Sequence, residues 1–485
     1  MTQMLIRAAP YAHQREAYDF ALRLFGASEG GDAATVSKGC FYLMDMGTGK
    51  TLTSIAVMGT LYQRGLIGRV LIVAPLSILG VWAGEMEKFA GFDFAAAVLE
   101  GSMAKKIDTL RHLDGKPLQV AVVGYESMWR MEDEIAKWKP DLIICDESHR
   151  IKTHNAKAAK AAHRLGAAAK YKLALTGTPV TNKALDVFSQ FKFLNPAVFG
   201  NSFYSFRNRY FNMTGYGNHT PVLKRTMEPE LTRKIHSISY RATKAECLDL
   251  PPYTDVTIGV DLEPAAAKLY RELVKDSYTQ LGSEDVSATN ILTRLLRLSQ
   301  LTGGFLSSEQ RDAAPYCATR QLHKVSSVKL DALADLIETA QESGQKLVII
   351  ARFIPEITAI KALLEKRGID YSAISGETKD RSEQVRRFQE EPDVTVFVGQ
   401  ISTAGLGITL TAASTLVFYS TNYSMSDYEQ TRARIHRVGQ ASHCTYYHII
   451  AKGTVDEKVL KALGDKADLA KTLIDDYRKG MNPFQ

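Results

Sequence analysis

The stretch MDMGTGKT, Met44 to Thr51, sits between an apolar run and the start of a helix. Gly47 and Gly49 permit a backbone that turns successive N–H groups toward an anion, and the helix opening near Lys50 adds its partial positive end. Lys50 is expected to reach the β- and γ-phosphates of a nucleotide, while the Thr51 hydroxyl suits Mg²⁺. Gly47, Thr48, Gly49, Lys50 and Thr51 are therefore the candidate nucleotide-binding residues. Met44 stands where the longer form G-x-x-x-x-G-K-[ST] begins with glycine, so the match is to the compact G-x-G-K-T. An ordinary strand-to-helix turn would use the same residues, and a partner acid is needed to decide.

That partner is DLIICDESHR, Asp141 to Arg150. A short apolar run delivers Asp146 and Glu147 to a strand's carboxyl end, where ligands bind in open α/β sheets. Asp146 is expected to hold Mg²⁺ and Glu147 to orient or deprotonate an attacking water.

Composition agrees with an enzyme of this kind. The 485 residues are enough for two or three domains with sizeable cores, and 45% hydrophobic with 23% charged residues is a globular balance. No apolar run reaches membrane-span length, and MTQMLIRAAPYAHQ lacks the apolar core of a signal peptide, which predicts a cytoplasmic protein without a membrane partner. Cys40, Cys145, Cys247, Cys317 and Cys444 are scattered with no C-x-x-C pair, as expected of packing residues in a reducing compartment.

The net charge of +7 is unevenly spread: Pro140 to Lys244 holds seventeen Lys and Arg against six Asp and Glu. Aromatics interleave with this surplus at FYSFRNRYF, Phe203 to Phe211, which makes Arg207 and Arg209 candidate nucleic-acid contacts. A solvated basic face over a small aromatic core is the other reading.

Two blocks of buried strands alternate with helices. CFYLMDMG, RVLIVAP, LQVAVVGYE, DLIICDES and YKLALTGTP form the first; KLVIIARF, DYSAIS, VTVFVGQ, STLVFYS and CTYYHIIAKG form the second. Each predicts a parallel sheet. Longer helical runs separate them, so the expected domains are 1–200, a helical insertion over 201–324, and 325–485. Only the first block has a phosphate loop. In QTRARIHRVGQ, Gln430 to Gln440, Arg434 and Arg437 are three apart, are expected on one helical face, and would complete the nucleotide site from the second block as arginine fingers. A basic surface helix is the alternative.

The ordered set MDMGTGKT, VLIVAPLSILGVWAGEMEKF, VVGYESM, DESHRIK, LTGTPVTN, STAGLGITLTAAS and QTRARIHRVGQ resembles the Swi/Snf-type DNA translocases, helicase-like ATPases of superfamily two, from about Tyr11 to Leu463. APLSILGVWAGEMEKF and HRVGQ single out that family. The resemblance implies an α/β fold of two RecA-like parallel-sheet lobes of the P-loop NTPase type. It implies that Gln14 reads the adenine edge of ATP, and that His149, Thr176, Thr178 and Gln430 couple nucleotide to DNA and lobe closure. Ser77 and Tyr125 fall in strand-tracking motifs of the first lobe, and Ser402, Thr403 and Gly405 in those of the second. STNYSM, Ser420 to Met425, departs from the family's acidic, tryptophan-containing stretch. The short remainder after Tyr477 suggests a compact bacterial or phage form without appended domains.

The function so implied is an ATP- and Mg²⁺-dependent monomeric motor on double-stranded DNA that remodels or displaces DNA structures or DNA-bound proteins. A strand-separating DNA or RNA helicase, and an ATP-switched clamp acting through a partner, are the alternatives.

Overall fold

The computed structural model describes residues 3–28, 36–177, 184–214, 220–247, 250–283, 288–311, 318–378, 380–401 and 408–465. The chain divides into two compact units, Met1–Asp249 and Leu250–Gln485.

The first unit is built on strands β1 (Gly39–Met44), β2 (Arg69–Ala74), β3 (Phe94–Val98), β4 (Leu118–Gly124), β5 (Leu142–Asp146) and β6 (Tyr171–Thr176). A hairpin of β7 (Phe211–Thr214) and β8 (Thr220–Leu223) precedes β9 (Ser239–Ala242). The main sheet runs β3-β4-β2-β5-β6-β1-β9 with every pairing parallel. Every residue of β1, β4 and β5 is buried. Helices on both faces remove the solvent-facing side, which is why these strands read as continuous apolar runs. Three helices matter for the site: α1 (Ala12–Leu24), α2 (Lys50–Gln63) and α3 (Leu79–Phe89). Tyr18 of α1 and Thr60 of α2 share a buried hydrogen bond of 2.7 Å.

The second unit carries β10 (Tyr253–Val260), an antiparallel hairpin of β11 (Phe305–Arg311) and β12 (Ala318–Lys324), then β13 (Leu347–Ala351), β14 (Tyr371–Ile374), β15 (Val396–Gln400), β16 (Thr415–Phe418) and β17 (Cys444–Ala451). Its sheet runs β10-β17-β16-β13-β15-β14, again all parallel. Alternation along β13 splits the core in two: Leu347, Ile349 and Ala351 pack with Leu333, Ile337 and Ile360, whereas Val348 and Ile350 pack with Leu295, Leu298 and Leu301.

The span 201–324 is less helical than its sequence suggests. It supplies β9 to the edge of the first sheet and β10 to the edge of the second, and the boundary between units falls inside it. Among the described residues no helix is long and apolar enough to cross a membrane.

Candidate active site

Strand β1 ends at Met44, and the loop that follows turns twice through the left-handed region, at Gly47 (φ 83°) and Gly49 (φ 89°). A Cβ on Gly49 would lie 2.1 Å from Gln14 Nε2, so the position is closed to any side chain on two counts. Helix α1 braces the loop from behind. Gln14 Nε2 donates to the Thr48 carbonyl at 3.1 Å, and His13 Nε2 lies 2.8 Å from the same oxygen. Thr48 Oγ1 donates to the Asp45 carbonyl at 2.7 Å, and Lys50 Nζ donates to the Met44 and Asp45 carbonyls at 2.8 and 3.1 Å.

Strand β5 presents the acids. Glu147 is one of two described non-glycine residues with positive φ (49°), a strain on the order of 1 kcal/mol that tertiary contacts must hold. Its N–H donates to Asp146 Oδ1 at 2.9 Å, and the indole Nε1 of Trp82 donates to Asp146 Oδ2, also at 2.9 Å. The Tyr125 hydroxyl donates to the Asp146 carbonyl oxygen at 2.6 Å. Burial, and then the Glu147 carboxylate beside it, push Asp146 above the usual carboxylate range, while the Lys50 charge pulls it back. His149 Nδ1 stands 3.3 Å from Glu147 Oε2. Strand β6 lies between β1 and β5, and its last residue, Thr176, is in register with Leu43. Loop, Thr176 and acids therefore share one carboxyl edge of one sheet. The donors at that edge are a lysine, a threonine hydroxyl in the first turn of α2 and a carboxylate, hard groups that fit phosphate and Mg²⁺.

Other expected residues are differently employed. Gln14 is buried: its Nε2 donates to the loop at the Thr48 carbonyl, and its Oε1 accepts from the Tyr11 N–H at the start of α1 at 3.0 Å. Tyr125, expected to track a nucleic-acid strand, is buried beneath Asp146 instead. Ser77 lies in the short turn Leu76–Ile78. Arg209 pairs with Glu230 at 2.9 Å, and Arg207 lies 5.2 Å over the exposed ring of Tyr204. The remaining rings of that stretch point inward: Phe206, Tyr210 and Phe211 are buried, and Phe203 packs against Phe188. They are core, and only Tyr204 is on the surface. Thr178, Ser402, Thr403 and Gly405 lie outside the described residues.

In the second unit the expected helical face does not form. The helix Met425–Arg432 ends before Arg434, so Arg434 and Arg437 sit in the turn beyond it. Arg434 is buried, with Nη1 donating to the Ile408 carbonyl at 3.3 Å. Gln430 Nε2 donates to Ser426 Oγ at 3.2 Å within the helix. Trp82, Arg432 and Gln440 also bond within or beside these motifs, and spacing along the chain carries no sign of their partners.

Two parallel-sheet lobes, the first bearing a glycine-lysine phosphate loop and an aspartate–glutamate pair on one edge, define a P-loop protein of the helicase-like class. Residues 13–303 match the SNF2-related domain and 328–439 the helicase conserved C-terminal domain, and the chain belongs to the SNF2-related family. It is 26% identical over 478 residues to the DNA repair and recombination protein RDH54 of Saccharomyces cerevisiae (90% of this chain, 50% of that protein). It is 24% identical over 449 residues to the Chromodomain-helicase-DNA-binding protein 1-like of Danio rerio (91% and 42%). An uncharacterized ATP-dependent helicase of Mycoplasma pneumoniae is 28% identical over 438 residues (89% and 40%). The chain spans about half the length, or less, of these relatives. The solved Sulfolobus solfataricus SWI2/SNF2 ATPase core in complex with dsDNA is 26% identical, with 98% of this chain and 94% of that one covered and a TM-score of 0.46.

Proposed function

We propose that this chain is an ATP-driven motor that moves along double-stranded DNA. The single observation that carries the reading is the shared carboxyl edge of β1, β6 and β5, where a phosphate loop and an acid pair meet in a chain of the SNF2-related family. Lys50 would exchange the Met44 and Asp45 carbonyls for phosphate oxygens, and the loop N–H groups would orient the same phosphates. Thr51 and Asp146 would hold Mg²⁺, which supplies charge neutralisation on the phosphate oxygens when bound. Glu147 would orient the attacking water and take up its proton, with the αL backbone aiming its carboxylate. Arg434 and Arg437 are proposed to supply charge to the γ-phosphate when the lobes close, and His149, Thr176, Thr178 and Gln430 to couple that closure to DNA. Ser77, Ser402, Thr403 and Gly405 are proposed strand contacts.

Mostly phosphate contacts predict sequence-tolerant, salt-sensitive binding. The antiparallel pair β11–β12 favours a second reading, strand separation, because a two-stranded element outside the main sheet is the sort that can part a duplex. One experiment separates the readings: ATP turnover with duplex DNA, single-stranded DNA and RNA, followed by triplex displacement. Stimulation by duplex with triplex displacement supports the motor; stimulation by single strands alone overturns it, and stimulation without displacement points to a switched clamp.

A further inference from the structure

Asp146 is gripped from two sides by residues that have no part in the phosphate loop. Trp82, 1% exposed, engages one carboxylate oxygen through its indole N–H, and the Glu147 N–H engages the other. Tyr125 fixes the main chain by donating to the Asp146 carbonyl. Burial pushes the Tyr125 hydroxyl well above its ordinary value, so it remains a donor.

Both grips lead to the same stretch of surface. Trp82 lies in the first turn of α3, one residue after Val81 (39% exposed) and six after Leu76 (70% exposed). Leu76 also leans over the residue before Tyr125: a Cβ on Gly124 would meet Leu76 Cδ2 at 2.7 Å. The segment Leu76–Val81, which exposes Leu76 and Val81 and buries Leu79, therefore reaches Asp146 by two routes, through the start of α3 to the indole and across Gly124 to the phenol. Leu76 and Val81 are thereby placed where a partner surface can press on them.

We infer that Trp82, through the carboxylate, and Tyr125, through the main-chain carbonyl, are positioning residues that fix Asp146 and carry displacement of the Leu76–Val81 segment to it. The inference rests on the motor reading, in which Asp146 holds Mg²⁺ and duplex DNA is the partner. A desolvated carboxylate keeps its orientation only while its donors remain, and loss of one leaves a buried oxygen unsatisfied. The indole thus decides which way the remaining lone pairs of Asp146 point. Contact at the segment is converted into the geometry of an acid that it never touches.

Trp82→Phe and Tyr125→Phe keep a buried ring and remove one donor each, and Leu76→Ala removes an exposed apolar side chain and its approach to Gly124 without touching either donor to Asp146. Affinity for a fluorescent ADP analogue is read with Mg²⁺ and with chelator, together with the thermal midpoint and ATP turnover at saturating duplex. Binding in chelator should stay within about twofold of wild type for all three. The gain on adding Mg²⁺ should fall about tenfold in Trp82→Phe, the loss of one hydrogen bond to a charged group, and several-fold in Tyr125→Phe. Leu76→Ala should keep the full Mg²⁺ gain and lose several-fold in duplex stimulation. A lowered midpoint with an unchanged Mg²⁺ gain in both aromatic variants would mean that they only support the fold, and would overturn the positioning role. Unaltered stimulation in Leu76→Ala would overturn transmission from the surface. Wild-type protein that shows no Mg²⁺ gain at all would instead remove the motor reading itself.

Discussion

Glu147 occupies a backbone region that costs an ordinary side chain about 1 kcal/mol, and its neighbour's carboxylate accepts its own N–H. Strain held at a strand end is retained where it aims a group, here a carboxylate beside buried Asp146. Glu147→Gln keeps the shape and leaves the Asp146 donors intact. It should bind ATP like wild type and lose turnover by roughly 10² or more, because an amide cannot accept the water's proton. Equilibrium binding and steady-state turnover of the one variant check both halves. A second buried acid behaves differently. Glu356, 1% exposed, accepts through Oε2 from the Arg352 and Phe353 N–H groups at 3.1 and 3.0 Å and from the Ser420 hydroxyl, while Oε1 has no hydrogen-bond partner among the described residues. Burial lifts its carboxyl from an ordinary 4.5 to about 7. A group whose folded value is raised favours folding most below its unfolded value, and that contribution is lost as pH rises through the folded one. Wild-type stability should therefore fall by about 3 kcal/mol relative to Glu356→Gln between pH 4.5 and 8, measured as urea unfolding free energies at several pH values.

The helix Met425–Arg432 illustrates what a linear pattern conceals. Spacing places Arg434 and Arg437 on one helical face, yet hydrogen bonds from outside end the helix first. The Leu410 N–H donates to the Arg434 carbonyl at 3.0 Å, and Gln440 Nε2 donates to the Ile435 and Ala413 carbonyls at 3.1 and 2.8 Å. Arg432 is the arginine on which this element depends. Its guanidinium lies 4.2 Å from the Tyr446 ring centre and 4.7 Å from that of Tyr253, and pairs with Asp255 at 3.0 Å. Arg432→Ala should lower the unfolding free energy by about 2 kcal/mol, and Arg432→Lys should recover only part, because a compact ammonium cannot stack and pair together. Urea titration of both variants tests this. The same limit explains which strands were legible. The five foreseen runs of the first block are all central strands and mostly apolar, and in the second block only β14 among the foreseen runs lies at an edge. In the two main sheets the strands not foreseen, β3, β9 and β10, are all edges: β3 is FAAAV, partly exposed and poor in β-formers, β9 is only SYRA, and β10 alternates toward solvent. In the site, loop and acids were legible because chemistry fixes their spacing; Trp82 and Tyr125 were not, because their bonds to Asp146 cross 64 and 21 residues of chain.

At the scale of the molecule, charge separates the two units more clearly than fold does. The seventeen cationic and six acidic residues of Pro140 to Lys244 all lie in the first unit, in a chain of net charge +7, so the remainder is net acidic. If duplex DNA is the track, the first unit should supply most of the counterion release that drives binding. Within that region Arg207 and Arg209 are not equivalent. Arg207 lies over exposed Tyr204 and, among the described residues, donates only to Asn208 Oδ1, at 3.3 and 3.4 Å, so its charge is available to a phosphate. Arg209 is engaged by Glu230, which also accepts from the Tyr210 hydroxyl at 2.8 Å, and must exchange that carboxylate for a phosphate. Arg207→Ala should therefore flatten the log–log salt dependence of duplex affinity by about one unit, and Arg209→Ala by less. Glu230→Gln should act in the opposite sense, tightening binding and steepening the slope, since it releases Arg209 and removes a negative charge from the track. Fluorescence anisotropy with a labelled duplex between about 50 and 200 mM salt gives all three slopes. If none of them departs from wild type, FYSFRNRYF is a solvated basic face over the aromatic core, and the DNA path lies elsewhere on the first unit.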